Sequence, residues 1–179
     1  LEDQFELDVD GGPMDIAMAD VDGDGDVDLL LTNDGSGSSM IFLRNTSVSR
    51  NVPPVCTGAS PSVAEIWPPN HRMVSLSIDG VTDPDGDALT IAVTGISQDE
   101  PLNGNGDGNI APDGSGVGSP TAEVRAERQG GENGRVYEIT FTASDGKGGV
   151  CSGIVEVGVP HDKGKKAGPA VNDGATVDS

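Results

Sequence analysis

The chain has 179 residues, enough for one or two domains with a modest core. Only 3% are aromatic, against 27 glycines and 12 prolines, a composition of short strands and tight turns that excludes a helical bundle. The formal charge of −20 excludes nucleic acid as a partner, because phosphates would be repelled.

No stretch carries sustained 3.6-residue apolar periodicity, so the expected fold is all-β. No run approaches the ~20 apolar residues of a membrane-spanning helix, so no membrane insertion is expected. Leu1 opens the chain without an initiator Met or a leader, which reads as a mature, processed or excerpted polypeptide.

Residues 1–11 form the first expected element. Phe5, Leu7 and Val9 alternate with Glu6 and Asp8, the period of an amphipathic strand. Gly11-Gly12-Pro13 follows as a flexible joint, so this strand is a candidate for donation to another sheet.

Residues 12–46 hold the most informative stretch, Asp20-Val21-Asp22-Gly23-Asp24-Gly25-Asp26-Val27-Asp28, with aspartate at five alternate positions. A hard cation such as Ca²⁺ takes six to eight oxygens from a flexible loop, and carboxylates this close would otherwise repel one another. Asp20, Asp22, Asp24 and Asp28 offer side chains, and Asp26 its carbonyl. The loop is not an EF-hand, because Leu31 stands where that motif needs a bidentate Glu, and the flanks read as strands. A D-x-D-x-D-G-x-x-D loop between two strands, continued by Thr32-Asn33-Asp34-Gly35 and Ile41-Phe42-Leu43-Arg44-Asn45, resembles the FG-GAP or VCBS repeat of integrin-α-type propellers. That resemblance implies a propeller-blade-like sheet and the same five calcium ligands. Propellers carry several copies and this chain carries one, so the blade is expected to leave apolar faces and open edges.

Residues 47–54 read as a polar linker ending in Pro53-Pro54. Residues 55–159 then supply strand candidates at Val63–Ile66, Met73–Asp79, Leu89–Ile96, Ala122–Glu127, Val136–Ala143 and Val150–Val159. Cys56 and Cys151 lie in the first and last segments of this region, where a disulfide would tie its ends. Such spacing suggests an immunoglobulin-like β-sandwich. Asp83-Pro84-Asp85-Gly86-Asp87-Ala88-Leu89-Thr90 and Ala143-Ser144-Asp145-Gly146-Lys147-Gly148 resemble bacterial cadherin-like and Ig-like surface domains.

Two further acidic loops are candidates for calcium. In the long loop 97–120, Asn103, Asn105, Asp107 and Asn109 repeat the alternating pattern, and Asp99, Glu100 and Asp113 could complete a shell; a plain turn is the alternative. Asp83, Asp85 and Asp87 form a third set. Trp67, between strands and before two prolines, is expected to pack on them.

Residues 160–179 read as a polar tail, disordered by composition, for which a neighbouring subunit is the simplest ordering partner. An intramolecular isopeptide needs a buried lysine, for which Lys147 is the candidate; Lys163, Lys165 and Lys166 are candidates for crosslinks between subunits.

No G-x-S-x-G, H-E-x-x-H or P-loop occurs, and neither cysteine has a histidine partner in view, so no enzyme is expected. A calcium loop and a disulfide together place the chain outside the cell, secreted or on a bacterial surface. The leading expectation is a structural subunit of an extracellular fibre or layer, joined head-to-tail to copies of itself by strand donation. The alternative is an adhesive or binding module, the C-terminal part of a larger secreted or cell-surface protein, with a protein or glycan ligand.

Overall fold

A computed structural model of the chain describes residues 13–23, 26–33, 39–45, 51–165, 167–174 and 177–179. All regular structure in them is strand, and no helix long and apolar enough to cross a membrane occurs among them. Phe5, Leu7 and Val9, the candidate donor strand, lie outside the described residues, as do Asp24 and Lys166. The chain divides into two compact units, residues 1–50 and 51–179.

In the first unit β1 (Pro13–Ala19), β2 (Asp28–Asn33) and β3 (Ser39–Leu43) form an antiparallel sheet in that order. The register sets Ile16 against Leu31 and Leu31 against Ile41, and Met18 against Leu29 and Leu29 against Leu43. With a side-chain period of two, these six residues share one face, while Ala17, Leu30 and Phe42 share the other. Leu31 is buried, but Ile16, Met18, Met40 and Phe42 are exposed. The sheet is apolar on both faces and covers little of either.

The second unit is a β-sandwich. One sheet runs β10–β9–β6–β11, from β6 (Thr90–Gln98), β9 (Gly134–Ser144), β10 (Val150–Pro160) and β11 (Val177–Asp178). The other runs β4–β5–β8–β7, from β4 (Ser60–Pro61), β5 (Met73–Asp79), β7 (Gly114–Ser115) and β8 (Thr121–Arg125). Alternate residues point inward: Leu76 and Ile78, Ala122 and Val124, then Tyr137, Ile139 and Phe141, and finally Val155, Val157 and Val159. Cys56 and Cys151 are disulfide-bonded across 95 residues, so the first and last segments of the sandwich are joined.

Two expectations are corrected here. Val63–Ile66 is not a strand; Ile66 enters the core, and Glu65 makes a single parallel bridge to Gly158. The tail docks on its own sandwich rather than needing a neighbour. Asn172 Nδ2 donates to Glu138 and Glu156 at 2.7 and 2.8 Å, β11 pairs with the end of β6, and the Ser179 amide donates to the Ile96 carbonyl at 3.0 Å. The contacts are polar, so no apolar rhythm announces them.

Candidate metal centres

In the first acidic loop, the turn after β1 brings one carboxylate oxygen each of Asp20, Asp22 and Asp28 within 4.8 Å of one another. Asp28 is buried, and the amides of Val21 and Asn45 donate to its two oxygens at 2.9 and 2.8 Å. Those two amides hold its carboxyl below the usual range. Asp20 accepts from the Gly23 amide at 2.7 Å, with Gly23 at φ 77°, and Asp22 pairs with Arg44. Asp26 is half-buried.

Asp83, Asp85 and Asp87 form the second cluster that meets the same 4.8 Å condition. A turn closed by the Gly86 amide on the Asp83 carbonyl, with Gly86 at φ 79°, folds the three together. Asp83 Oδ1 accepts from the amides of Asp85 and Asp87 at 2.9 and 3.2 Å. The incoming segment joins them: the Val52 amide donates to Asp85, and Asn51 Nδ2 donates to Asp145 Oδ2, each at 2.7 Å. Asp145 is buried in the β9–β10 turn, where its other oxygen takes the amides of Lys147 and Gly149. The Asn51 amide group, followed by those backbone amides, holds Asp145 below the usual carboxylate range. Three oxygens in this region are enclosed without a hydrogen-bond partner: Asn51 Oδ1, Asp83 Oδ2 and Asp87 Oδ2. Oxygens of this kind are what a hard cation takes up. Lys147, 62% exposed, pairs with Asp87 at 2.7 Å and is not the buried lysine that an isopeptide needs. Lys163 pairs with Glu65, and Lys165 is exposed.

The loop after β6 departs from the expected calcium shell. Asn103, Asn105 and Asn109 are exposed, while Glu100, Asp107 and Asp113 turn inward and do not cluster as a cation site. They meet Arg135, the first side chain of β9 after Gly134, which is fully buried. Its Nε is 3.2 Å from Glu100, its Nη1 lies 2.6 Å from Asp113 and 3.2 Å from Glu127, and its Nη2 is 3.9 Å from Asp107. Nη2 also donates to the Pro101 carbonyl at 3.1 Å. A guanidinium with five donors in a fixed plane therefore organises the loop from within. Asp99 is used elsewhere, accepting the Val136 and Asp173 amides. Arg125 lies 3.6 Å from Asp113 and 3.9 Å from Glu127, and His71 is 3.2 Å from Glu127. Burial, with Asp113 alongside, pushes the Glu127 carboxyl up to about 7, and burial also raises that of Glu100.

Arg135, Glu127, Asn51 and Asp145 are the residues that sequence reasoning missed as site members. A lone arginine at the head of the apolar alternation Val136 to Ala143 was the available sign for the first of them.

Against known families, the bacterial Ig domain matches residues 51–158. Comparison with curated proteins and with solved structures gives no match.

Proposed function

The chain belongs to the bacterial Ig domain family, and from that footing we propose that it serves as a non-catalytic extracellular surface module whose acidic loops are set by calcium. Domains of this family are typically extracellular or surface-exposed, and their fold is a structural and binding one. What carries the calcium reading is the set of enclosed, unpartnered oxygens on Asn51, Asp83 and Asp87, beside carboxylates gathered within 4.8 Å. Ca²⁺ bound by Asp83, Asp85 and Asp87, with Asn51 contributing its amide oxygen, would tie the incoming segment to the sandwich. Asp20, Asp22 and Asp28 with the Asp26 carbonyl and Asp24, the FG-GAP-like set, would hold a second ion. Extracellular modules bind calcium at about 10⁻⁴–10⁻³ M. Calorimetric titration of the chelator-stripped chain should show two sites in that range. Loss of one site in Asp83→Asn with Asp87→Asn, and of the other in Asp20→Asn with Asp22→Asn, assigns them; no heat at millimolar calcium ends the proposal.

A second reading, assembly into a calcium-stabilised fibre, is favoured by the exposed apolar residues on both faces of the first unit's sheet, Ile16 and Met18 on one, Met40 and Phe42 on the other. Here the strand with Phe5, Leu7 and Val9 would complete the sheet of another copy. Deleting residues 1–10 should abolish filaments seen by negative stain; filaments from the shortened chain would exclude donation.

A further inference from the structure

β10 is the outer strand of its sheet, and its two halves are finished differently. At the C-terminal half, the Gly158 amide donates to the Ala64 carbonyl at 3.0 Å and its carbonyl accepts from the Ile66 amide at 2.9 Å. Gly158 therefore turns both backbone groups away from β9. The β9–β10 register is unbroken from Val150 to Pro160, so Val150, Ser152, Ile154 and Glu156 turn the same way. Among the described residues, nothing accepts from or donates to the backbone of Ser152 or Ile154 along this edge.

Natural edges are protected by brevity, bulges, proline or charge. The sandwich uses such devices elsewhere: β4 and β7 have two residues each, and β11 covers the end of β6. Residues 150–155 have none of these; the segment 54–59, tied to Cys151 by the disulfide, lines an open groove beside residues 151–154 without pairing with their backbone. Val150 and Ile154 are 56% and 58% exposed, and the adjoining outer surface is formed by Thr94, Thr140, Thr142 and Ser152. On a chain of formal charge −20, this is an uncharged surface beside an open edge.

We infer that β10 pairs antiparallel with β10 of a second copy about a two-fold axis at Ser152, joining two four-stranded sheets into one. A second copy is the occupant because the edge is self-complementary. With Ser152 opposite its counterpart, Val150 of each copy faces Ile154 of the other on the outer surface. On the inner surface, Cys151 faces Gly153, where a Cβ would lie 2.8 Å from the Phe141 ring and no larger side chain fits. Glu156 then falls opposite Gly148, so no acid meets an acid across the contact. Two chains this acidic repel each other wherever else they touch, and the neutral edge is where backbone pairing is least opposed.

The test uses the full chain in sedimentation velocity with residue-resolved hydrogen exchange, in calcium and in EDTA, so that loss of the metal sites and loss of the contact are read separately. The expected result is a dimer in both buffers that tightens with salt, with the Ser152 and Ile154 amides protected as concentration rises. Ile154→Lys places a charge on the edge and should weaken the dimer by about ten-fold or more; Val117→Lys, an equally exposed apolar position elsewhere, should not. Thermal melting checks that both variants fold. A monomer at all concentrations overturns the inference. So does a dimer indifferent to Ile154→Lys, or protection of the edge that a peptide of residues 1–10 reproduces.

Discussion

The Asp83–Asp87 loop and the 99–113 loop carry the same kind of sequence, acids alternating with small residues and glycine, and end in different chemistry. Each leaves two carboxylate oxygens enclosed without a hydrogen-bond partner, on Asp83 and Asp87 in the first and on Glu100 and Asp113 in the second. In the first, the ammonium that pairs with a carboxylate, on Lys147, is 62% exposed. In the second, Arg135 reaches in from β9 with no exposed surface and takes four carboxylates. The lesson is that similar acid-rich loops differ in whether the chain brings its own buried cation to them, which only the Arg135 loop does among the described residues.

The sharpest way to break this contrast is to remove the internal cation. Arg135→Met should destabilise the second unit by about 3–5 kcal/mol in chemical denaturation, because it leaves buried carboxylates uncompensated. A change below ~1 kcal/mol would mean that the loop is held by something else.

Next comes the calcium response. Saturating calcium should stabilise the second unit by roughly 1–3 kcal/mol through binding to the folded state alone. Asp83→Asn with Asp87→Asn should abolish that gain, whereas Asp107→Asn should leave it intact. If Asp107→Asn removes it, the assignment of the ion to the Asp83 loop is wrong.

The pH dependence separates the loops again. Glu127 rises from 4.5 to about 7 in the folded state, so the folded chain holds a proton that the unfolded chain releases. Its contribution is fully present below the unfolded value and disappears as pH rises through about 7. Stability of the second unit should therefore fall by roughly 1–3 kcal/mol between about pH 5 and pH 8, and Glu127→Gln should flatten the slope. Asp145, held low, acts oppositely, and its contribution is lost only as pH falls into the acid range. A stability that rises toward pH 8 would contradict the buried-carboxylate account.

The smallest effect expected is that of Lys147→Ala. An exposed ion pair contributes little, so stability should barely change, while calcium affinity should rise about two- to five-fold as a competing cation leaves Asp87. Unchanged affinity would place Lys147 outside the ion's field.

Strands with a clean alternation were legible from the chain. Met73–Asp79 carries the boundaries expected of it, and the Tyr137–Ile139–Phe141 and Val155–Val157–Val159 rhythms mark the inner face of their sheet. Segments held by polar or backbone contacts were not legible. Ile66 reaches the core from a single bridge, and the tail rests on Asn172 and a two-residue strand. Neither has the length or period that would reveal it. Of the candidate sites, the clusters Asp20–Asp22–Asp28 and Asp83–Asp85–Asp87 are local in sequence, so spacing alone exposes them. Asn51 reaches Asp145 across 94 residues, and no spacing suggests that pair.

Composition and local pattern were enough to establish an all-β chain in two parts, with two cysteines placed to clasp the second and acids crowded into its turns. These follow from side-chain period and turn chemistry, which act over a few residues. Which acids face a buried guanidinium was settled by folding. Arg135 meets Asp113 and Glu100 from 22 and 35 residues away, through strand registers that no single segment encodes. Charge pairing depends on distance in space, and for these loops that distance exists only once the sheets are packed.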